Sequence, residues 1–178
     1  ELLLQLIDDI LDLSKIEAGT MEFSLAPTDI NDLIEGICRQ MQEKNTSPDV
    51  AITFTEKAEE CILNTDRVRL SQVIINFTNN AMKFTPKGSI QMGYRIDEAK
   101  DEIYFYVKDT GIGIPEDKIN EVFERFVKLN TFAKGTGLGL AICRVIVERL
   151  GGTIGADSKE GEGSCFWFRL PITQKSNN

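Results

Sequence analysis

The sequence predicts an α+β domain, a two-layer α/β sandwich in which a mixed β-sheet lies under a helical layer, preceded by an N-terminal helix. Three observations lead to this prediction. Strand-like segments occur in pairs and not in regular alternation with helices, which disfavours a doubly wound parallel sheet. Amphipathic helical patterns separate the strand pairs. The chain has 178 residues, of which 42% are hydrophobic, and this is enough to bury one sizeable core.

The spacing of apolar residues in residues 1–18 predicts a helix with two adjacent apolar stripes. One stripe has the heptad spacing of a coiled-coil seam, and a single helix cannot bury both stripes. We therefore expect a multi-helix bundle whose other members are missing or come from a second copy. Gly19 and Thr20 end the helix, and the chain begins at Glu1 instead of Met, so we expect an excised piece of a longer protein. The stripes are Leu3, Leu6, Ile10 and Leu13, and Leu4, Ile7 and Leu11.

Cap residues mark the helices of the main domain. Asp29 precedes one amphipathic pattern, and Asp66 precedes a second pattern that runs to Phe84. A further helix at residues 140–150 ends at two glycines. Strands are predicted at residues 50–55, 89–96, 102–109, 153–157 and 164–170, and a short helix at residues 116–127. The predicted divisions are an N-terminal helix at 1–20, a main domain at 25–172 and a polar tail at 173–178.

The composition excludes several classes of function. The chain has no histidine, which excludes Ser-His-Asp and Cys-His catalysis and histidine metal sites from this chain acting alone. Its net charge of −8 argues against a nucleic-acid or anionic-membrane partner. No apolar stretch is long enough to span a bilayer. Four cysteines without a CxxC pair indicate buried thiols in a reducing compartment. We therefore expect a cytoplasmic location without direct membrane contact, although the longer protein is compatible with an inner-membrane anchor.

A polar stripe lies on the helix that follows Asp66. Asn76, Asn80 and Lys83 are spaced i, i+4 and i+7, so they share one face. Amide oxygens are suitable ligands for Mg²⁺, and a lysine can contact a phosphate. The alternative is a solvated helix face, but asparagine has poor helix propensity, which argues for a function of these side chains. The opposite, apolar stripe consists of Val73, Ile74, Phe77 and Ala81.

Two glycine-rich loops are candidate ligand sites. Asp109 ends an apolar strand and begins the loop DTGIG, where a carboxylate could accept a hydrogen bond from an exocyclic amine and so favour adenine over guanine. Asp-Thr-Gly also occurs in aspartic proteases, but those need two such aspartates, and nothing downstream resembles a second half. Residues 135–140 (GTGLGL) open a helix, where backbone N–H groups form an anion site suited to a polyphosphate. The alternative for that loop is a flexible hinge. Residues 161–164 read as a bare hairpin turn.

Taken together and in order, five segments resemble the N, G1, F, G2 and G3 boxes of bacterial sensor histidine kinases. The opening segment DDILDLSKIEAG is similar to the end of that family's dimerisation and phosphotransfer helix hairpin. The resemblance covers essentially the whole chain. It is compatible with a hybrid kinase, in which a receiver domain follows in the same chain. The five segments are residues 76–85 (NFTNNAMKFT), 109–115 (DTGIGIP), 123–126 (FERF), 135–140 (GTGLGL) and 161–166 (GEGSCF).

This resemblance implies a Bergerat-type ATPase fold, shared with DNA gyrase and heat-shock chaperone ATPases, that binds ATP and Mg²⁺. It implies that Asp109 recognises the adenine amino group, with Gly111 and Gly113 shaping the base pocket. Asn80 would coordinate Mg²⁺ with Asn76 beside it, and the catalytic group would comprise Asn76, Lys83 and Lys128. A lid at residues 128–134, expected to be mobile without nucleotide, would be bordered by the F and G2 boxes. The implied lid-border and G2 residues are Phe123, Gly135, Thr136, Gly137, Leu138 and Gly139.

The family transfers the ATP γ-phosphoryl group to a histidine and then to an aspartate of a response-regulator receiver domain. Because this chain has no histidine, we expect the acceptor on the missing part of the hairpin, upstream of Glu1. The implied partners are a second copy, through the hairpin, and the receiver domain. Two alternatives stay open: a nucleotide-binding regulatory module without kinase activity, and another ATPase of the gyrase and chaperone superfamily. The latter carry a glutamate as general base at the position of Asn76.

Overall fold

The computed structural model describes residues 2–125 and 137–173 of the chain. In order, the elements are α1 Leu2–Ala18, β1 Ala26–Asp29, α2 Ile30–Lys44, β2 Val50–Glu56, β3 Ile62–Thr65, α3 Arg67–Phe84, β4 Gly88–Asp97, β5 Glu102–Asp109, a 3₁₀ helix Ile119–Glu121, α4 Gly139–Arg149, β6 Thr153–Lys159 and β7 Gly163–Pro171. The main helices and strands predicted from the sequence are therefore confirmed. None of the described helices is long and apolar enough to cross a membrane.

The main sheet has the strand order β2-β4-β5-β7-β6. β2 pairs with β4 in parallel, whereas every other pair in this sheet is antiparallel. The prediction of a mixed sheet is thus confirmed. A parallel pair needs a crossover connection, and the chain between β2 and β4 supplies it through β3 and α3.

A second, two-stranded sheet was not predicted. β1 pairs antiparallel with β3, so that Thr28 lies opposite Leu63. Each strand has four residues, too few for an alternating pattern to stand out. β1 leads directly into the cap of α2, where the Asp29 carboxylate accepts a hydrogen bond from Asp32 N at 3.0 Å. β3 leads in the same way to Asp66, which accepts from Arg69 N at 2.9 Å and caps α3.

The core lies between the helices and one face of the main sheet. Alternate residues of the central strands point to this face and are almost completely buried, as strand geometry requires. Phe77 of α3 is fully buried, and its ring centroid lies 5.5 Å from that of Phe166 and 6.0 Å from that of Phe168. The buried sheet residues on this face are Ile90, Met92, Tyr94, Ile103, Phe105, Val107, Phe166, Phe168 and Leu170.

The opposite sheet face is open and carries a layer of aromatic and arginine side chains. Trp167 and Tyr104 pack with their ring centroids 6.0 Å apart. The Arg169 guanidinium lies 4.9 Å from the Tyr104 ring and 5.5 Å from the Trp167 ring. Cation–π contacts of this kind cover apolar ring surface while the charge stays in water.

The predicted helix at residues 116–127 is wrong in the part that the structure describes. There the backbone forms consecutive turns, with Lys118 N donating to Pro115 O at 2.9 Å and Glu121 N to Lys118 O at 3.0 Å. These bonds span three residues, so only the 3₁₀ helix Ile119–Glu121 forms. Ile119, Val122 and Phe123 have the apolar spacing of a helix, but only Val122 is fully buried, so the packing that would stabilise a continuous helix is incomplete. Residues 126–127 lie outside the described residues.

α1 contacts the rest of the chain through one side only. Leu13 and Ile16 pack against the core, and Asp9 is buried. Asp12 pairs with Arg69 at 3.3 Å, and its second carboxylate oxygen accepts from Gln72 Nε2 at 2.8 Å. The predicted surplus of apolar surface is present, because six large apolar side chains of this helix are 45–69% exposed. They are Leu2, Leu3, Leu4, Ile7, Ile10 and Leu11. The division of the chain into three parts stays a prediction.

Phe77→Ala tests the importance of the α3–sheet contact. Removing a fully buried ring leaves a cavity between α3 and β7, so we expect the free energy of unfolding to fall by about 3–5 kcal/mol. Urea denaturation followed by circular dichroism measures the change. Val68→Ala in the same helix is the control, since Val68 is 73% exposed and should change stability by less than about 0.5 kcal/mol. Similar losses in both variants would contradict the packing described above.

Candidate functional site

The candidate site lies where four segments meet. These segments are the C-terminal half of α3, the loop after β5, the turn between β6 and β7, and the start of α4. Sheet pairing brings two of them together, because Asp109 at the end of β5 lies opposite Ser164 at the start of β7. The loop after β5 then turns back toward the end of α3, where Ile112 N donates to Phe84 O at 3.0 Å.

Asp109 is the buried acidic group of this site, with 4% of its surface exposed. Its Oδ1 accepts hydrogen bonds from Gly111 N at 2.9 Å and from Ser164 N at 3.2 Å. Burial raises the pKa of Asp109, whereas the two backbone N–H groups and the nearby Thr85 hydroxyl act in the opposite direction. The backbone thus holds the carboxyl group in a fixed orientation, in which it can accept a hydrogen bond from a ligand amine.

The glycines after Asp109 are needed for contacts with the protein itself. A Cβ atom at Gly111 would collide with Phe84 O and would lie 2.7 Å from Thr85 Oγ1. Gly113 has φ +71°, and a Cβ atom there would collide with the Lys159 carbonyl oxygen. The expectation of tight backbone turns is confirmed. The glycines let the backbone of this loop approach α3 and the β6–β7 turn closely.

The β6–β7 turn contributes residues that the sequence reasoning missed. Besides the hydrogen bond from Ser164 N to Asp109, a Cβ atom at Gly163, which has φ +117°, would collide with Asp109 O. Ser158 Oγ accepts from Ile114 N at 2.7 Å and lies 2.7 Å from Ser164 Oγ. The sequence pattern alone favoured a bare hairpin turn, because only the register between β5 and β7 brings Ser164 to Asp109. The similarity of GEGSCF to the G3 box was the available signal.

α3 has the predicted polar and apolar sides. Val73, Ile74, Phe77 and Ala81 are all at most 3% exposed. On the other side Asn76 and Asn80 are half-buried and Lys83 is exposed. Asn76 reaches across to α4, because its Oδ1 lies 2.9 Å from the position that a Cβ atom would take at Gly139. Any side chain at Gly139 would therefore displace the Asn76 amide.

α4 begins at Gly139 in a backbone geometry that depends on glycine. Gly137 has φ +75°, and the fully buried Leu138 occupies the N-cap position, where its carbonyl accepts from Ile142 N at 3.0 Å. The first N–H groups of a helix have no partner within the helix, so this end can bind an anion. Three further predicted site residues, Lys128, Gly135 and Thr136, lie outside the described residues, as does the lid at 128–134.

Phe123 lies in the F-box segment, at the edge of the core. It is half-buried, and its ring meets that of Phe166 edge-on at 6.2 Å. The neighbouring Arg125 forms a 2.7 Å ion pair with Glu17 of α1. Phe123 thus joins the F-box segment to the aromatic core and not to the cluster around Asp109. Its role at the border of a lid stays a prediction.

The oxygen donors at this site suit a metal ion that is coordinated mainly by the phosphate oxygens of a bound ligand. Among residues 2–125 and 137–173, no group of three or more His, Cys, Asp or Glu side chains could hold a metal ion. The half-buried Asn80 amide is a neutral oxygen donor, and Mg²⁺ commonly combines one or two protein ligands with phosphate oxygens and water. The residues present therefore fit Mg²⁺ that arrives with a nucleotide, and they do not form an all-protein site.

Comparison with known families identifies one profile that covers the whole described site. The family described as histidine kinase-, DNA gyrase B-, and HSP90-like ATPase matches residues 65–174. This range includes α3, the loop after Asp109, the β6–β7 turn and α4.

Named relatives and solved structures agree with this match. The autoinducer 2 sensor kinase/phosphatase LuxQ of Vibrio vulnificus strain YJ016 is 37% identical over 186 residues, covering 97% of this chain and 21% of LuxQ. The crystal structure of full-length ShkA in complex with AMPPNP has a TM-score of 0.86 at 32% identity, covering 97% of this chain and 36% of ShkA. The histidine kinase ThkA in complex with the response regulator protein TrrA has a TM-score of 0.74 at 26% identity, covering 92% of this chain and 47% of that chain. The chain thus spans a minor part of these relatives' length.

Gly111→Ala tests the contact between the Asp109 loop and α3. The new methyl group would displace Phe84 O, so we expect a loss of about 1–3 kcal/mol in the free energy of unfolding, measured by urea denaturation. Gly36→Ala in α2 is the matched control, because its Cβ atom would meet nothing within 4 Å. Alanine is the better helix former there and should add about 0.5–1 kcal/mol. Effects of the same sign in both variants would be evidence against the contact.

The raised pKa of Asp109 makes a prediction about pH. The carboxyl group of Asp109 binds its proton more tightly in the folded state than in the unfolded chain. The protonated group therefore stabilises the fold fully below the unfolded-state pKa, and this stabilisation is lost as pH rises through the folded-state pKa. Asp109→Asn keeps an oxygen acceptor for Gly111 N but has no charge. We expect the variant to be at least as stable as the wild type at pH 7, and the difference to vanish toward about pH 4. Urea denaturation across this range checks the sign, and a variant that is less stable only at neutral pH would contradict it.

Proposed function

The chain belongs to the family of histidine kinase-, DNA gyrase B- and HSP90-like ATPases, and from this premise we propose that it serves as the ATP-binding catalytic domain of a two-component sensor histidine kinase. The whole protein transfers the ATP γ-phosphoryl group to a histidine and then to a response-regulator aspartate. The sequence has no histidine, so the acceptor is supplied from outside these residues. ThkA, which is similar to this chain, forms a complex with the response regulator TrrA, and this supports a receiver domain as partner.

The observation that carries the proposal is the arrangement around Asp109. A buried carboxylate, held by Gly111 N and Ser164 N, presents an acceptor for the exocyclic amine of adenine. Guanine carries a carbonyl oxygen at the equivalent position, and two acceptors facing each other repel. The site therefore favours ATP over GTP. Gly111 and Gly113 keep the loop close to α3 and to the β6–β7 turn, which fixes the position of the backbone around Asp109.

The phosphate side of the site follows from the polar face of α3 and the start of α4. Asn80 would be the protein ligand of Mg²⁺, with Asn76 beside it, and Lys83 would contact a phosphate. When bound, Mg²⁺ neutralises charge on the phosphate oxygens. The N–H groups of Gly137 and Gly139 donate hydrogen bonds to phosphate oxygens at the helix N-terminus. The roles of Phe123, Lys128, Gly135, Thr136 and Leu138, in and around the lid, belong to the same proposal.

Asn76 separates this function from that of an ATP-hydrolysing relative. An amide cannot take a proton from water, so the residue at this position cannot act as general base for hydrolysis. Its amide oxygen instead lies beside the start of α4, 2.9 Å from the position that a Cβ atom would take at Gly139. Catalysis then consists of positioning and charge neutralisation, while the nucleophile is the incoming histidine.

The exposed stripes of α1 support dimerisation of the whole protein. Six exposed leucine and isoleucine side chains on one helix require cover in water, and a helix hairpin from each of two copies would provide it. We place the domain in the cytoplasm, where ATP and response regulators are available.

Calorimetric titration with AMPPNP and Mg²⁺ tests the nucleotide site. We expect the wild type to bind AMPPNP more tightly than the guanine analogue, and Asp109→Asn to lose about tenfold or more in affinity, since a charge-assisted hydrogen bond to adenine is weakened. Asp157→Asn, which removes an exposed carboxylate on the open sheet face, is the control and should bind as the wild type does.

A folded wild type that fails to bind at millimolar nucleotide would refute the proposal. Binding without phosphotransfer to an added histidine-bearing hairpin of a sensor kinase would instead identify a regulatory module that lacks kinase activity.

A further inference from the structure

Three neighbouring strands of the main sheet carry a row of polar residues at one end. Asp109 of β5 lies opposite Ser164 of β7, and Ser164 lies opposite Ser158 of β6. Side chains two residues apart on a strand share a face, so the row lies on the face that holds the core. The next row on that face is apolar and consists of Val107, Phe166 and Ala156. The apolar pattern of the sheet is therefore replaced by polar groups at the edge of the candidate site.

The Ser158 hydroxyl is the centre of a hydrogen-bond network at this end. It accepts from Ile114 N at 2.7 Å and donates to Gly163 O at 2.9 Å, and Ser164 Oγ lies 2.7 Å away. A serine hydroxyl has one proton and two lone pairs. Because the proton of Ser158 goes to Gly163 O, Ser164 is the donor in the third bond. One hydroxyl group thus joins the loop after Asp109 to two consecutive residues of the β6–β7 turn.

This network determines where Ser164 N lies relative to Asp109. The bond from Ser164 N to Asp109 Oδ1 is 3.2 Å long, at the upper end of the range for N–H···O bonds, so a small displacement of the turn breaks it. The other donor, Gly111 N, belongs to the same loop as Asp109 and moves with it. The bond from Ser164 is therefore the one that ties the carboxylate to the rest of the sheet.

We propose that Ser158 is a positioning residue of the nucleotide site: its hydroxyl holds the β6–β7 turn where Ser164 N can donate to Asp109, and so fixes the direction of the Asp109 carboxylate. The proposal rests on the ATP-binding function proposed above. Ser158 acts through Ser164 and does not itself contact the base.

The proposal separates the two sides of the nucleotide site. A carboxylate that has turned away loses its bond to the adenine amine, because hydrogen bonds weaken steeply with angle. The phosphate side is formed by α3 and the start of α4, which the Ser158 network does not include. Loss of the Ser158 hydroxyl should therefore weaken recognition of the amine and leave the binding of the rest of the nucleotide unchanged.

The test compares Ser158→Ala, which removes the hydroxyl, with Ser158→Thr, which keeps it. Calorimetry with Mg²⁺ gives the affinities for ATP and for purine riboside triphosphate, which has hydrogen in place of the adenine amino group. We expect the wild type and Ser158→Thr to prefer ATP by about tenfold, and Ser158→Ala to bind the two triphosphates alike. The affinity for purine riboside triphosphate should be the same in all three proteins.

Ile37→Val is the control for stability. Ser158→Ala leaves Ile114 N without its acceptor, so we expect its Tm to fall by a few degrees. Ile37 is buried in α2, which is not one of the four segments of the site, and loss of one methyl group there should lower the Tm by a similar amount. Ile37→Val should nevertheless keep the preference of the wild type for ATP.

Hydrogen exchange at Ser164 N–H, followed by NMR, tests the network without nucleotide. The exchange should be about tenfold faster in Ser158→Ala than in Ile37→Val, because the turn opens locally in the first variant only. Equal exchange rates at Ser164 in the two variants would overturn the proposal.

The nucleotide measurements distinguish failure of this proposal from failure of the proposed function. An unchanged preference for ATP in Ser158→Ala would overturn the positioning role while leaving the ATP site intact. A parallel loss of affinity for both triphosphates in Ser158→Ala would show a structural role only and would also overturn it. Absence of ATP binding by the folded wild type would refute the ATP site itself.

Discussion

The packing of α3 against the sheet is the constraint on which the rest of the structure depends. Phe77 fits between α3 and the rings of Phe166 and Phe168, so the helix can bury its apolar side in one orientation only. The polar side then has to face outward at a fixed angle, which directs Asn76 toward α4. The same packing sets the position of Phe84, whose carbonyl holds the loop after Asp109. One aromatic contact thereby positions several segments of the site.

The pocket proposed for the base, around Asp109, is built largely from backbone groups. Backbone N–H groups hold Asp109, and the loop that follows it stays in place through a bond to Phe84 O. Backbone groups have no rotamers to lose when a ligand binds, so a pocket of this kind is preorganised at small entropic cost. Asp109 is the residue that brings a charged side chain into this proposed pocket. Burial raises the pKa of Asp109 and so disfavours its charged form before a ligand arrives.

Elements with a clear local period could be predicted from the sequence, and those that depend on distant partners could not. Asp66 and the apolar spacing around Phe77 define α3 without any other part of the chain. β1 and β3 are too short to show a pattern, and only their pairing makes them strands. The contribution of the turn before Ser164 to the site could not be predicted either, since the contact between Ser164 and Asp109 spans 55 residues. The similarity to a known family placed the boxes in order, but the contacts of Thr85 required the folded structure.

The open sheet face carries the only tryptophan of the chain. Trp167 lies over Gly155, where a side chain would collide with its ring, and its Nε1 donates to Asp157 at 3.1 Å. Its strand neighbours Phe166 and Phe168 point the other way, into the core beneath α3. Intrinsic fluorescence excited at the indole band therefore reports on the integrity of the sheet from the side away from the helices. This makes the emission of Trp167 a built-in optical marker of folding, separated from the proposed nucleotide site by the full thickness of the sheet.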